Sequence, residues 1–251
     1  DLHSFPTRRS SDLVGGADYY GLPKAEIDEE QCIACGQCQQ YCRFDAILSE
    51  NKYEVNAFAC EGCGVCEYVC PADAIALVPT ADGELMLYSD AEKVFSTARL
   101  RMGSGTSGLL VTEVKNRMQS RIVNAGFAII DGSPGIGCPV IASLNGVDMV
   151  LLVAEPSISG ISDMVRIIKT AAQFGVRIAV CINKYDTNPE HTDRIAAFCQ
   201  QQSLPVVGRI PFDTDAVKAI NNGQTIVDID CISGRAVKGV YAETKIGRAH
   251  V

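Results

Sequence analysis

Residues 32–47, CIACGQCQQYCRFDAI, and 60–75, CEGCGVCEYVCPADAI, are one motif written twice at an offset of 28. Each copy spaces its cysteines C-x2-C-x2-C-x3-C, and together they hold eight of the twelve cysteines in the chain. Three thiolates separated by two residues can wrap one face of a cuboidal iron-sulfide core. The fourth, carried on the following helical turn, points away and ligates the other core. The spacing therefore assigns one [4Fe-4S] cluster to Cys32, Cys35, Cys38 and Cys70, and a second to Cys60, Cys63, Cys66 and Cys42. Gly36, Gly62 and Gly64 let the backbone bend tightly round each core, where a Cβ would crowd the sulfides. A structural zinc ion takes four ligands, typically as two separated C-x2-C pairs, and leaves the doubled three-plus-one pattern unexplained. Disulfides suit small secreted chains, and no signal-peptide apolar region follows this N-terminus. Cys138, Cys181, Cys199 and Cys231 are scattered and are expected to be buried small hydrophobes.

The doubled motif resembles a bacterial-type dicluster ferredoxin module, a small α+β domain, over residues 27–78. One departure is Arg43, which stands where the second copy has Pro71. It loosens the turn after Cys42 and sets a cation near that cluster, which favours a higher potential there.

Composition narrows the remainder. A chain of 251 residues accommodates one good-sized domain and a small one. Apolar content of 47% with 21% charged residues describes an ordinary globular protein. The net charge of -8, the absence of Trp and the scarcity of Tyr and Phe argue against nucleic-acid binding, which needs a basic face and stacking rings. No apolar run reaches the roughly 18 residues of a membrane span, and a cytoplasmic location is expected.

From Gly83 onward, strand-like and helical patterns alternate. FAII (127–130), MVLLVA (149–154), VRIAVCI (176–182) and PVVGRI (205–210) have strand length and β-branched content, while residues 162–174 and 189–202 carry helical apolar spacing. Such alternation implies an α/β domain, a mostly parallel sheet with helices on both faces. Ligands then sit at the carboxyl ends of the strands. Three of those ends carry suggestive residues. Asp131 can reach a Mg²⁺-bound water, and Ser133, Pro134, Gly135 and Gly137 form a turn whose amides can sense a γ-phosphate. Asn183 opens NKYD (183–186), and Pro211, Phe212 and Asp213 follow the last strand. RMGSGTSGLL (101–110) contains G-x-G-x-x-G, but it follows no clear strand and lacks the lysine of a phosphate loop. It is expected to be a flexible connection into a helix over 107–118.

Both ends are expected to be foreign. HSFPTRRSSDL (3–13) and IGRAHV (246–251) equal codon-by-codon translations of common sequencing adapters, so residues 1–13 and 246–251 are set aside as artefacts. Between them the expected division is a linker over 14–26, the ferredoxin domain over 27–78 and the α/β domain over 79–245.

With the cysteine repeat ahead of IIDGSPGIGCPVIASLNGVD, EPSISG, INKYD and RIPFD, the chain resembles MinD/ParA-type P-loop ATPases that contain an inserted ferredoxin domain. In that family the phosphate loop precedes the insert, which here would place it upstream of Val14, leaving an incomplete P-loop domain. The resemblance implies ATP and Mg²⁺ as ligands, with Asp131 and Gly135 in the Mg²⁺/γ-phosphate switch and Asn183, Pro211 and Asp213 lining the adenine pocket. It implies an ATPase, working as a homodimer, whose nucleotide state gates electron delivery or cluster handling toward a redox or cluster-acceptor protein. The alternatives are an iron-sulfur scaffold, disfavoured because the α/β region lacks a C-x-x-C, and a plain electron-transfer ferredoxin on an inert carrier domain. N-K-x-D also resembles a guanine-reading box, and the family resemblance favours ATP.

Overall fold

The computed structural model describes residues 13–49, 51–89, 93–121 and 126–249. Adapter-like residues 1–12, 250 and 251 lie outside that set. The chain divides into two compact units, one ending at Ala128 and the other beginning at Ile129.

The first unit runs β1 (Leu13–Tyr20), β2 (Lys24–Ile27), α1 (Gln37–Tyr41), β3 (Ile47–Ser49), β4 (Tyr53–Val55), α2 (Val65–Tyr68), β5 (Ile75–Val78), β6 (Ala81–Ser89), β7 (Val94–Leu100) and α3 (Ser107–Gln119). The two motif copies fold alike, residue for residue. Gly36 and Gly64 precede α1 and α2 at φ +76° and +77°. Ala34 and Gly62 lie at +57° and +64°, and Asp45 and Asp73 both at +50°. A left-handed residue recurring at the same three places coils each cysteine run tightly before it enters one helical turn. Ala46–Ile47 and Ala74–Ile75 are then buried as each chain leaves its turn. The strand leading into each copy pairs with the strand leaving the other, β2 with β5 and β4 with β3. Asp28 N donates to Ala74 O at 2.8 Å, and its counterpart Asn56 N donates to Ala46 O at 2.7 Å. The copies therefore close on each other as a pseudo-two-fold pair.

Residues 14–26, expected as a linker, are instead largely strand. β1 pairs antiparallel with β6 from Leu13↔Tyr88 to Tyr20↔Ala81, and β7 completes a three-stranded sheet. Tyr19, Leu85 and Leu110 form its core with α3. Gly15 and Gly16 interrupt the alternation that marks a strand, and the ladder partner lies far along the chain, so sequence periodicity does not show it. Because this unit continues through α3, the division expected at 79 is not a break between compact units. The glycine-rich 101–108 stretch is pinned rather than loose. Ser104 Oγ donates to Asp82 O at 3.1 Å, and Tyr19 Oη donates to Thr106 O at 3.1 Å.

The second unit runs α4 (Cys138–Leu144), β8 (Met149–Ala154), α5 (Ile158–Gln173), β9 (Arg177–Asn183), α6 (Pro189–Gln201), β10 (Val206–Ile210), α7 (Thr214–Asn221) and α8 (Ile232–Ala249). The strands make a parallel sheet in the order β10-β9-β8. Leu152, Ala154, Val180 and Ile182 face α5 and α6 through Met164, Ile195 and Cys199. Alternate side chains point the other way. On that face Gly208, paired with Cys181, lets Val240 of α8 approach to 2.6 Å of where a Cβ would stand. Helices thus cover both faces of a parallel sheet, as the sequence pattern implies. Phe127–Ile130, expected as a strand, lies outside every strand, and Ile129 is 72% exposed. β-branched composition makes a segment able to join a ladder, but the joining is a tertiary event, and β8 ends the sheet on that side. No described helix is long and apolar enough to cross a membrane.

Candidate functional site

The tight coils of the first unit gather its cysteines. Among the described residues no three His, Cys, Asp or Glu side chains converge as the ligands of a single metal ion do. The thiols instead line two cavities, four apiece. One, about 320 Å³ including its mouth, is lined by Cys32, Cys35, Cys38 and Cys70 with Ile27, Ile33, Tyr53 and Ile75. The other, about 360 Å³, is lined by Cys42, Cys60, Cys63 and Cys66 with Ala25, Phe44, Val55 and Leu77. In each cavity three cysteines come from one copy and the fourth from the other, the grouping that the spacing assigns.

The walls suit a thiolate-bound cluster. Soft sulfur donors in an apolar shell are the donor set that iron-sulfur clusters take. Ala46 N donates to Cys42 Sγ at 3.4 Å and Ala74 N to Cys70 Sγ at 3.3 Å, so each crossing sulfur has one amide donor. Burial pushes the Cys38 thiol up, and the nearby Cys32 and Cys35 push it further. Cys66 is raised in the same way, by burial and then by Cys60 and Cys63. The raised Cys38 and Cys66 thiols would give up their protons when cationic iron binds, so binding would release protons. Cys35 and Cys63, the second cysteine of each copy, are exposed, whereas Cys38 and Cys60 are buried.

Sequence reasoning missed four contributors: the Ala46 and Ala74 amides, the left-handed Ala34, and Lys24, whose buried Nζ donates to Cys60 O. The amides were within reach, because DAI recurs in both copies. Nothing in the sequence marks Lys24 as buried.

At the carboxyl edge of the parallel sheet, Asn183 stands opposite Ile210, with Pro211–Asp213 just beyond. The strand ends are laced to one another. Asp186 Oδ1 accepts from Phe212 N at 2.7 Å, and Lys184 Nζ pairs with Glu155 Oε1 at 2.7 Å. Asp213 caps α7 by accepting from Asp215 N at 2.9 Å, and its other oxygen accepts from Ser233 N and Oγ. Its carboxyl is held below the usual range by the Ser233 and Asp215 amides. Asp131 is exposed in the loop before α4, where Gly135 takes φ +86°. No hydrogen bond among the described residues links Asp131 or Gly135 to Asn183, Pro211 or Asp213.

Residues 25–77 match the family model described as a 4Fe-4S dicluster domain. Protein MJ0578 of Methanocaldococcus jannaschii is 32% identical over 220 residues, covering 88% of this chain and 74% of its own length. MJ0547 of the same organism, an ATP-binding protein by its name, is 30% identical over 99 residues, 39% of this chain and 38% of its own. Among solved structures, the MinD cell division protein of Aquifex aeolicus is similar at 21% identity and TM-score 0.44, covering 57% of this chain and 60% of that one. The cell division ATPase MinD of Pyrococcus furiosus is similar at 18% identity and TM-score 0.45, covering 56% and 59%. The chain belongs to the family of MJ0578, with a dicluster 4Fe-4S domain in its first compact unit and an α/β domain in its second.

Proposed function

We propose that this chain carries two [4Fe-4S] clusters and is part of an ATPase in which nucleotide binding gates electron transfer or cluster handling by the ferredoxin-like module. The observation that carries the reading is the sorting of eight thiols into two cavities, each built three-plus-one from both motif copies. When bound, the clusters would supply one-electron storage. Cys32, Cys35, Cys38 and Cys70 would hold one, and Cys42, Cys60, Cys63 and Cys66 the other. Apolar side chains such as Ile75 and Leu77 line the cavities, and the Ala46 and Ala74 amides steady the crossing sulfurs. Support for ATP comes from the name of MJ0547 and from the sequence resemblance. In this reading Asp131 and Gly135 answer to Mg²⁺ and the γ-phosphate, and Asn183, Pro211 and Asp213 border the base. A redox or cluster-acceptor protein and a second copy of the chain are the partners.

One observation favours a second reading, a plain electron-transfer module on an inert carrier. Asp186 and Asp213 already accept from the backbone amides of Phe212 and Asp215. The test is anaerobic reconstitution of the full-length protein, with iron and sulfide analysis, followed by ATP and GTP binding and by cluster potentials with and without nucleotide. Bound clusters whose potentials and partner affinity respond to ATP support gating. Bound clusters with no nucleotide binding leave the plain carrier.

A further inference from the structure

We propose that Lys24 makes the two cluster sites electrically unequal. Its buried ammonium holds the Cys42/Cys60/Cys63/Cys66 site at the higher reduction potential, so an electron delivered to the chain settles there. The inference rests on the cluster reading above.

Lys24 opens β2, is 8% exposed, and donates through Nζ to the carbonyl oxygen of Cys60. Among the described residues no carboxylate forms an ion pair with it. The pseudo-two-fold supplies an internal control. Lys52, at the offset of 28 from Lys24, is exposed and pairs with Glu29 at the surface. The amides are matched, since Cys42 and Cys70 each accept one at 3.4 and 3.3 Å, whereas Glu61, which lines the Cys60 cavity where the other copy has Ile33, is an unmatched but exposed carboxylate that water and salt screen. Arg43 is a further unmatched cation, but it is exposed, where water and salt screen it.

Reduction adds one negative charge to a site, and a cation held in a low-dielectric interior stabilises that charge more than a screened one does. The step is a one-electron transfer. With both clusters bound, a one-electron reductant would lose one electron and the Cys42/Cys60/Cys63/Cys66 site would gain it, the Cys32/Cys35/Cys38/Cys70 site staying oxidised. No bond forms and no proton moves.

The experiment is a dithionite potentiometric titration of anaerobically reconstituted full chain, followed by electron paramagnetic resonance. Two one-electron steps are expected, with Cys63→Ser perturbing the higher and Cys35→Ser the lower. Lys24→Gln should weaken the higher step by tenfold or more in its equilibrium constant, about 59 mV for one electron, and leave the lower step in place. Lys24→Arg should restore it. Lys24→Gln with full iron and unmoved steps overturns the proposal alone, as does Cys63→Ser perturbing the lower step. If Lys24→Gln loses iron, the Cys63→Ser and Cys35→Ser comparison, made with Lys24 in place, decides. Wild-type protein that takes up no iron overturns both this proposal and the cluster reading.

Discussion

Asp213 Oδ2 accepts twice from Ser233, from its amide at 3.1 Å and its hydroxyl at 3.0 Å, fastening the start of α7 to the start of α8. A carboxylate held by amide donors has a folded pKa below its ordinary 3.8. The stability it contributes is present above pH 3.8 and is lost as pH falls through the lowered folded value. Asp213→Asn removes the charge and should lower the Tm of the chain at pH 7, with the gap to wild type closing as pH drops below 3.8. Thermal melts across that range check it, and a constant gap would refute the assignment of the effect to charge.

The crossed cysteine sets predict a non-additive iron count. Cys42→Ser and Cys66→Ser should each lower bound iron from about eight to about four per chain, and the double variant should stay at about four. Pairing Cys42→Ser with Cys38→Ser strikes both sites and should remove nearly all of it. Iron and acid-labile sulfide analysis distinguishes this from a same-copy arrangement, in which Cys42 and Cys38 would share a cluster.

Gly62 and Ala34 occupy the same place in the two copies at φ +64° and +57°, yet they differ in tolerance. A Cβ on Gly62 would overlap the Pro23 carbonyl oxygen. Gly62→Ala should therefore cost about 2 kcal/mol or more, because left-handed strain alone is worth about 1–2, and it should reduce iron retention. Ala34→Gly relieves strain but frees the unfolded chain, and should change stability by less than about 1 kcal/mol. Melting and iron content of both variants test the contrast.

Burial pushes the Cys181 thiol up to about 11. At pH 8 only about one molecule in a thousand carries its thiolate, the nucleophilic form. Iodoacetamide at that pH should modify exposed Cys138 and spare Cys181 in the folded chain, as peptide mass spectrometry can read. The folded thiol keeps a proton that the unfolded one releases above 9, so this burial lowers stability as pH rises from 9 toward 11.

The grouping of the cysteines into two cavities was legible because each cysteine run is local, its spacing tied to one helical turn, and because duplication displays the crossing residue twice. The parallel strands were legible because MVLLVA, VRIAVCI and PVVGRI are apolar on both faces, as a doubly covered sheet requires. What escaped depended on distant partners. The β1 ladder needs β6, and FAII offers strand chemistry yet lies outside the described strands. Lys24 reads as an ordinary surface cation until β2 folds beneath Cys60. Asp213 was legible as a strand-end carboxylate, but its engagement by Ser233 was not, since that contact spans α7.

Tyr20 stands opposite Ala81, and Lys24 opposite Val78. Paired antiparallel strands keep such Cα atoms about 4.5–5.5 Å apart, a gap that a two-residue hairpin turn can bridge. Residues 21–80 thus leave and re-enter the first unit through adjacent strand ends, and the segment leans back on that unit where Phe58 packs against Gly103. Excising that segment would therefore strip Gly103 and Gly105 of the Phe58 and Glu61 side chains that lie beside them.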